Sequence, residues 1–154
     1  MKNLNNYIFE KLNIKDIKRQ YTCCPKTREE LRKILKKRLK ENENADLNDI
    51  NVSEITDMSD LFKNLDPHDI NISKWDMSNV TNTSFMFFFC KNFNCDLSEW
   101  DVSKVTNMQA MFTGCQKLDT DLNKWDVSNV DVEEMYDMFF DCMSIDKPTW
   151  YEGN

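Results

Sequence analysis

Glycine occurs only twice in the 154-residue chain, at Gly114 and Gly153. No glycine-rich loop is therefore available to cradle a phosphate. His68 is the single histidine, and no Cys-x-x-Cys pair occurs, whereas a zinc site takes about four ligands. No metal and no cofactor are expected. Hydrophobic residues make up 40% of the chain, yet no apolar run approaches the ~20 residues of a membrane span. The opening MKNLNNYIFEKLNIKDIKRQ lacks a long apolar stretch and a small-residue cleavage site, so it does not read as a signal peptide. A cytoplasmic chain is expected. No nucleophile–base pair stands out, and no catalytic residue is expected.

Charge and cysteine usage say more. Residues 1–40 hold 13 Lys and Arg against 4 Asp and Glu, whereas residues 41–154 hold 7 against 23. Two differently charged parts meet near Asn42–Asn44. The expected organisation is an N-terminal segment (1–24), a basic capping helix (25–45) and a repeat region (46–154). Cys90, Cys115 and Cys142 share one repeat position, where a small apolar side chain suits a core. Free thiols are expected.

The repeat dominates the chain. Trp75, Trp100, Trp125 and Trp150 stand 25 residues apart, and Ile50 takes the tryptophan position one step earlier. Met108, Met111, Phe112 and Cys115 fall at i, i+3, i+4 and i+7, the pattern of one helix face. The stripe recurs as Met58–Leu65, Thr83–Cys90 and Met135–Cys142. Asp57, Asn82 and Asn107 precede three of the stripes, where a side-chain oxygen suits a helix N-cap. Phe93, Cys95 and Leu97 alternate like a half-buried strand. The spacing thus predicts an α/β, leucine-rich-repeat-like right-handed solenoid of strand–turn–short-helix coils over 46–150. Thr27 and Glu30 form a T-x-x-E capping box, and Leu31, Ile34, Leu35 and Leu39 form the apolar stripe of a helix that caps the first coil.

The line DLSEWDVSKVTNMQAMFTGC (Asp96–Cys115) closely resembles the BspA-like repeat family, whose typical line is near DLSxWDVSxVTNMxxMFxxC. Thr83 and the insertion at Asp131–Glu134 depart from it. The resemblance implies a solenoid and a role in protein binding, host-surface contact or adhesion, and it implies no catalytic residue. The segment NNYIFEKLNIKD is also similar to the N-termini of assorted proteins from gut Bacteroidetes and their phages.

Three features are candidates for function. Asp76, Asp101 and Asp126 share one repeat position, and Asp96, Asp121 and Asp146 another. Calcium between coils would suit such columns, but Asx-turns within each coil are the expected arrangement. Arg28, Arg32, Lys33, Lys36, Lys37, Arg38 and Lys40 read as the solvated face of the capping helix, with an acidic protein or a nucleic acid as other uses. Phe85, Phe88 and Phe89 stand where the next coil has Ala110, Thr113 and Gly114; two coils on, the same positions hold Asp137, Phe140 and Asp141, with Tyr136 nearby. The scaffold requires no bulk there. These five aromatics are read either as a partner-binding patch or as rings covered by Leu4, Tyr7, Ile8 and Leu12 of the N-terminal segment. The chain is therefore expected to be a non-catalytic module binding a partner protein. Two alternatives are an inhibitor from a phage or mobile element that sets its acidic face against a host nucleic-acid enzyme, and a structural or surface/adhesion component.

Overall fold

The structure, a computed structural model, describes residues 21–152. Helix α1 spans Arg28–Glu41. Thr27 stands extended at its N-cap (φ −131°), and its hydroxyl accepts the Glu30 N–H at 3.2 Å. The Glu30 carboxylate reaches back to the Lys26 N–H at 2.8 Å. Glu29 and Glu30 in the first turn and Arg38 and Lys40 in the last complement the helix dipole. Leu31 and Leu35 are fully buried, with Ile34 and Leu39 half-buried beside them.

The expected strand–turn–short-helix coil does not form, and the leucine-rich-repeat-like α/β assignment is overturned. Among the described residues α1 is the one α-helix, Val132–Met135 forms a 3-10 turn, and no strand occurs. Extended pairing is confined to isolated parallel bridges: Cys23 with Ile50, Asp46 with Asn71, and Asn82 with both Asp57 and Asn107. Phe93 and Leu97 are buried between more exposed neighbours and Cys95 is half-buried, close to what alternation predicts, but they pair into no sheet.

The four stripes read as helices are tandem turns. Met86, Phe88 and Cys90 donate their N–H groups three residues back, to Thr83, Phe85 and Phe87. The intervening Thr83, Phe85, Phe87 and Phe89 donate to the next coil, at Asn107, Gln109, Met111 and Thr113, over 2.8–2.9 Å. Phe85 and Phe89 have positive φ, as do their counterparts Asp60 and Asn64, Ala110 and Gly114, Asp137 and Asp141. A left-handed residue every fourth position prevents α-helix propagation. Tandem turns that repeat every four residues bury their corners at i, i+3, i+4 and i+7. That is the helix signature, so apolar spacing alone does not separate the two.

Successive coils stack in register, and the apolar positions become columns. The Trp75, Trp100, Trp125 and Trp150 indoles donate to the carbonyls of Leu47, Ile72, Leu97 and Leu122 at 3.0, 3.1, 3.0 and 2.8 Å. Trp100 and Trp125 lie 6.5 Å apart and 5° from parallel. Phe62, Phe87, Phe112 and Phe139 stack at 5.1, 5.5 and 5.7 Å. The two extra residues near Asp131 are taken up by the 3-10 turn, so Met108 N–H meets Glu134 rather than a residue 24 positions on.

Helix α1 covers the carbonyl row that the first coil presents with no coil before it. The Arg28 guanidinium donates to the Ser59 carbonyl at 3.4 Å. Arg32 donates to the carbonyls of Asp60 and Leu61 and, at 2.7 Å, of Lys63. Two guanidinia thus take the place of a missing coil's N–H groups. Arg38 pairs with Asp49 at 2.8 Å, whereas Lys33, Lys36, Lys37 and Lys40 remain exposed. The expected solvated face is therefore lysine, while these arginines hold the helix to the stack.

Candidate functional site

Five of the six column aspartates form Asx-turns; Asp146 does not, because Pro148 two residues on has no N–H to donate. Asp101 Oδ1 accepts the Ser103 N–H at 3.1 Å and the Ser103 hydroxyl at 2.6 Å, and Asp76 does the same with Ser78. Asp96 accepts from Ser98, and Asp121 and Asp126 from Asn123 and Ser128. The Ser103 hydroxyl and N–H draw the Asp101 pKa down and outweigh repulsion from Asp126. Asp57, Asn82 and Asn107, read as helix caps, accept from the N–H two residues on and open the tandem turns instead. Among the described residues no cluster of three or more metal-ligating side chains occurs.

Cys90, Cys115 and Cys142 form a column of free thiols that donate to the carbonyls of Phe62, Phe87 and Phe112 at 3.3, 3.1 and 2.9 Å. Burial pushes Cys90 up to about 12 and Cys142 to about 11, and raises Cys115 further. Buried neutral thiols of this kind are poor nucleophiles.

The five sequence-selected aromatics lie on the tandem-turn side of the stack. Phe89, Tyr136 and Phe140 are 45%, 55% and 62% exposed. Phe85 and Phe88 are half-buried, packed edge-to-face at 5.4 Å, with the Lys63 ammonium 5.1 and 5.3 Å from their rings. Phe88 and Phe89 meet edge-to-face at 4.6 Å. Between the two aromatic coils lie the small, buried Ala110, Thr113 and Gly114. Phe89 N–H donates to Thr113 and Gly114 N–H to Phe140, which links the two groups through one intervening coil. Phe89 also covers Gly114 so closely that a Cβ there would stand 2.7 Å from the ring. Glycine suits that position twice over, since its φ is +74°.

The residue choice is costly in three places. Asp, Asn and Gly accept the left-handed region with least strain, and they fill most of the two positive-φ columns. Ala110 at φ 50° is one exception, and Phe85 and Phe89 occupy the same columns at φ 56° and 55°. A left-handed residue with a Cβ costs roughly 1–2 kcal/mol, so the two rings are held against backbone preference.

Sequence reading set Asp137 and Asp141 at the positions of Phe85 and Phe89 but gave them no role, and it missed the exposed Met143 and Lys63 at the opposite end. A partial signal was present: Asp60 and Asn64, Asp137 and Asp141, and the single Gly114 sit inside supposed helices, where their propensity is poor. Tyr136 also lines a cleft of about 350 Å³ with Val130, Met135, Trp150 and Tyr151. The proposed cover of Leu4, Tyr7, Ile8 and Leu12 lies outside the described residues. No described helix is long and apolar enough to cross a membrane.

Coils stacked in register, built from tandem turns and carrying exposed aromatics on the turn side, define a stacked-repeat protein. The chain belongs to the family described as Mycoplasma protein of unknown function, DUF285, which matches residues 29–150. No curated protein and no solved structure matches it.

Proposed function

We propose that the chain is a non-catalytic module, acting in the cytoplasm, that binds a partner protein through Phe85, Phe88, Phe89, Tyr136 and Phe140. The observation that carries this reading is the pair of phenylalanines at left-handed positions. Backbone strain at an exposed site is kept where the side chain serves something other than stability. Aromatic rings bury large areas on association and dominate many interfaces. The likeness of the repeat line to BspA-like sequences, for which protein binding is a common role, points the same way. Affinity capture from the source organism with the native chain and with a Phe89→Asn/Phe140→Ala variant tests it. A specific protein should be retained by the first and lost from the second, with both chains equally folded. Equal retention by both would remove the patch from consideration.

A further inference from the structure

The aromatic strip is electrically polarised along the stack. At the first-coil end Lys63 lies over Phe85 and Phe88, and Asp60 already pairs with it at 2.8 Å. At the far end Tyr136–Asp137 and Phe140–Asp141 alternate ring and carboxylate, with Asp131, Glu133 and Glu134 in or beside the adjoining 3-10 turn. None of these five carboxylates meets a cation within ion-pair distance among the described residues. Asp49, Glu54 and Asp57 of the first coils, by contrast, are all paired with basic residues of α1 or just before it. Asp137 and Asp141 have φ values of 56° and 55°, in the columns of Phe85 and Phe89.

We infer that this strip takes a basic–apolar polypeptide segment, its apolar side chains against Phe89, Tyr136 and Phe140 and a lysine or arginine against Asp137 and Asp141. The inference rests on the reading of the strip as a protein-binding surface and adds the chemistry and direction of the occupant. A cation beside carboxylates and aromatic rings gains both Coulomb and cation–π attraction. Like charge disfavours an acidic segment or a nucleic acid there. The lysine face of α1 is a poor occupant: its exposed Lys33, Lys36, Lys37 and Lys40 have no exposed apolar partner there, since Leu31 and Leu35 are buried.

The test is a selection of random phage-displayed peptides on the full chain, counter-selected on the Phe89→Asn/Phe140→Ala variant. Enriched peptides should combine aliphatic or aromatic residues with Lys or Arg. Asp137→Asn with Asp141→Asn, which keeps residues suited to positive φ, should weaken the synthesised peptides about tenfold, and raised salt should do the same. Patch-dependent peptides without basic residues, or indifferent to both aspartates, would overturn the inference while leaving protein binding intact. No patch-dependent peptide at all would overturn both readings. A strip closed by residues 1–20 or by a second copy would give that result.

Discussion

Phe89 shows most clearly how single residues are placed in this protein. Its counterpart in the first coil is Asn64, at φ 63°, and in the next coil Gly114. Phe89→Asn removes a half-exposed ring but relieves the left-handed strain. Chemical denaturation should show stability within about 1 kcal/mol of the native chain; a larger loss would make Phe89 a core residue. Trp100 is the opposite case. It is 4% exposed, stacked on Trp125 and hydrogen-bonded to Ile72. Trp100→Ala should cost about 3–5 kcal/mol, because a large cavity and an unused carbonyl remain. The thiol column adds a pH signature. The folded pKa values of Cys90 and Cys142 are raised, so neutral thiols favour the fold, and that contribution is complete below the ordinary thiol pKa. Stability should decline as pH rises from about 9 toward 12, and cysteine-to-alanine variants should flatten the decline. A curve unaffected by those substitutions would show the thiols to be ionisable in place.

Among the elements, the tandem turn carries the stack and α1 closes its first edge. Alternate N–H groups serve the turn and the next coil, so neither row goes unused in the interior. At the first coil the Arg32 fork meets three carbonyls; Asp60 also takes the Lys63 N–H, while water would otherwise serve those of Leu61 and Lys63. Arg32→Ala should lower stability by about 1.5–3 kcal/mol, the range for hydrogen bonds to charged groups, and lysine should recover less than half because it lacks the planar fork. A loss below about 0.5 kcal/mol in urea titrations would mean that solvent replaces the guanidinium without cost. The Asx-turns give the acid limb. Folded pKa values of Asp96, Asp101, Asp121 and Asp126 are lowered by the N–H groups and side chains of the turns. Their contribution is present above the unfolded carboxylate pKa and is lost as pH falls below about 4. Asn51 and Asn71 already hold the same turn with Ser53 and Ser73. Asp101→Asn should therefore keep its stability near neutrality and lose less on acidification; an Asn variant that unfolds at neutral pH would refute the equivalence.

At the scale of the whole molecule, coils touch only their neighbours, so local stability should vary along the stack. Interior groups such as Phe87 N–H, donated to Met111 at 2.9 Å within a fully buried ring column, should exchange with deuterium most slowly. Asp137 and Asp141 N–H groups, which have no acceptor among the described residues, should exchange fastest. Uniform protection from Met58 to Cys142 would indicate a single cooperative block rather than a graded stack.

The 25-residue period, the tryptophan, phenylalanine and cysteine columns, the Thr27–Glu30 cap and the Asx-turns were all legible in the sequence, because each depends on local chemistry or on a repeat that must stack on itself. Sequence also marked the five aromatics, since bulk appeared where neighbouring repeats have small residues. Coil conformation was not legible in the apolar spacing: i, i+3, i+4, i+7 belongs equally to a helix and to turns repeating every four residues, the poor helix formers Asp60, Asn64, Asp137 and Asp141 only lean toward turns, and the choice falls to hydrogen bonds between coils. The roles of Arg28 and Arg32 were likewise decided by tertiary structure, which alone sets their guanidinia against a carbonyl row some 30 residues away in the chain. So was the polarity of the aromatic strip. Lys63, Phe89 and Asp141 share one surface because backbone pairing joins successive coils, and pairing partners lie 24 to 26 residues apart in the chain.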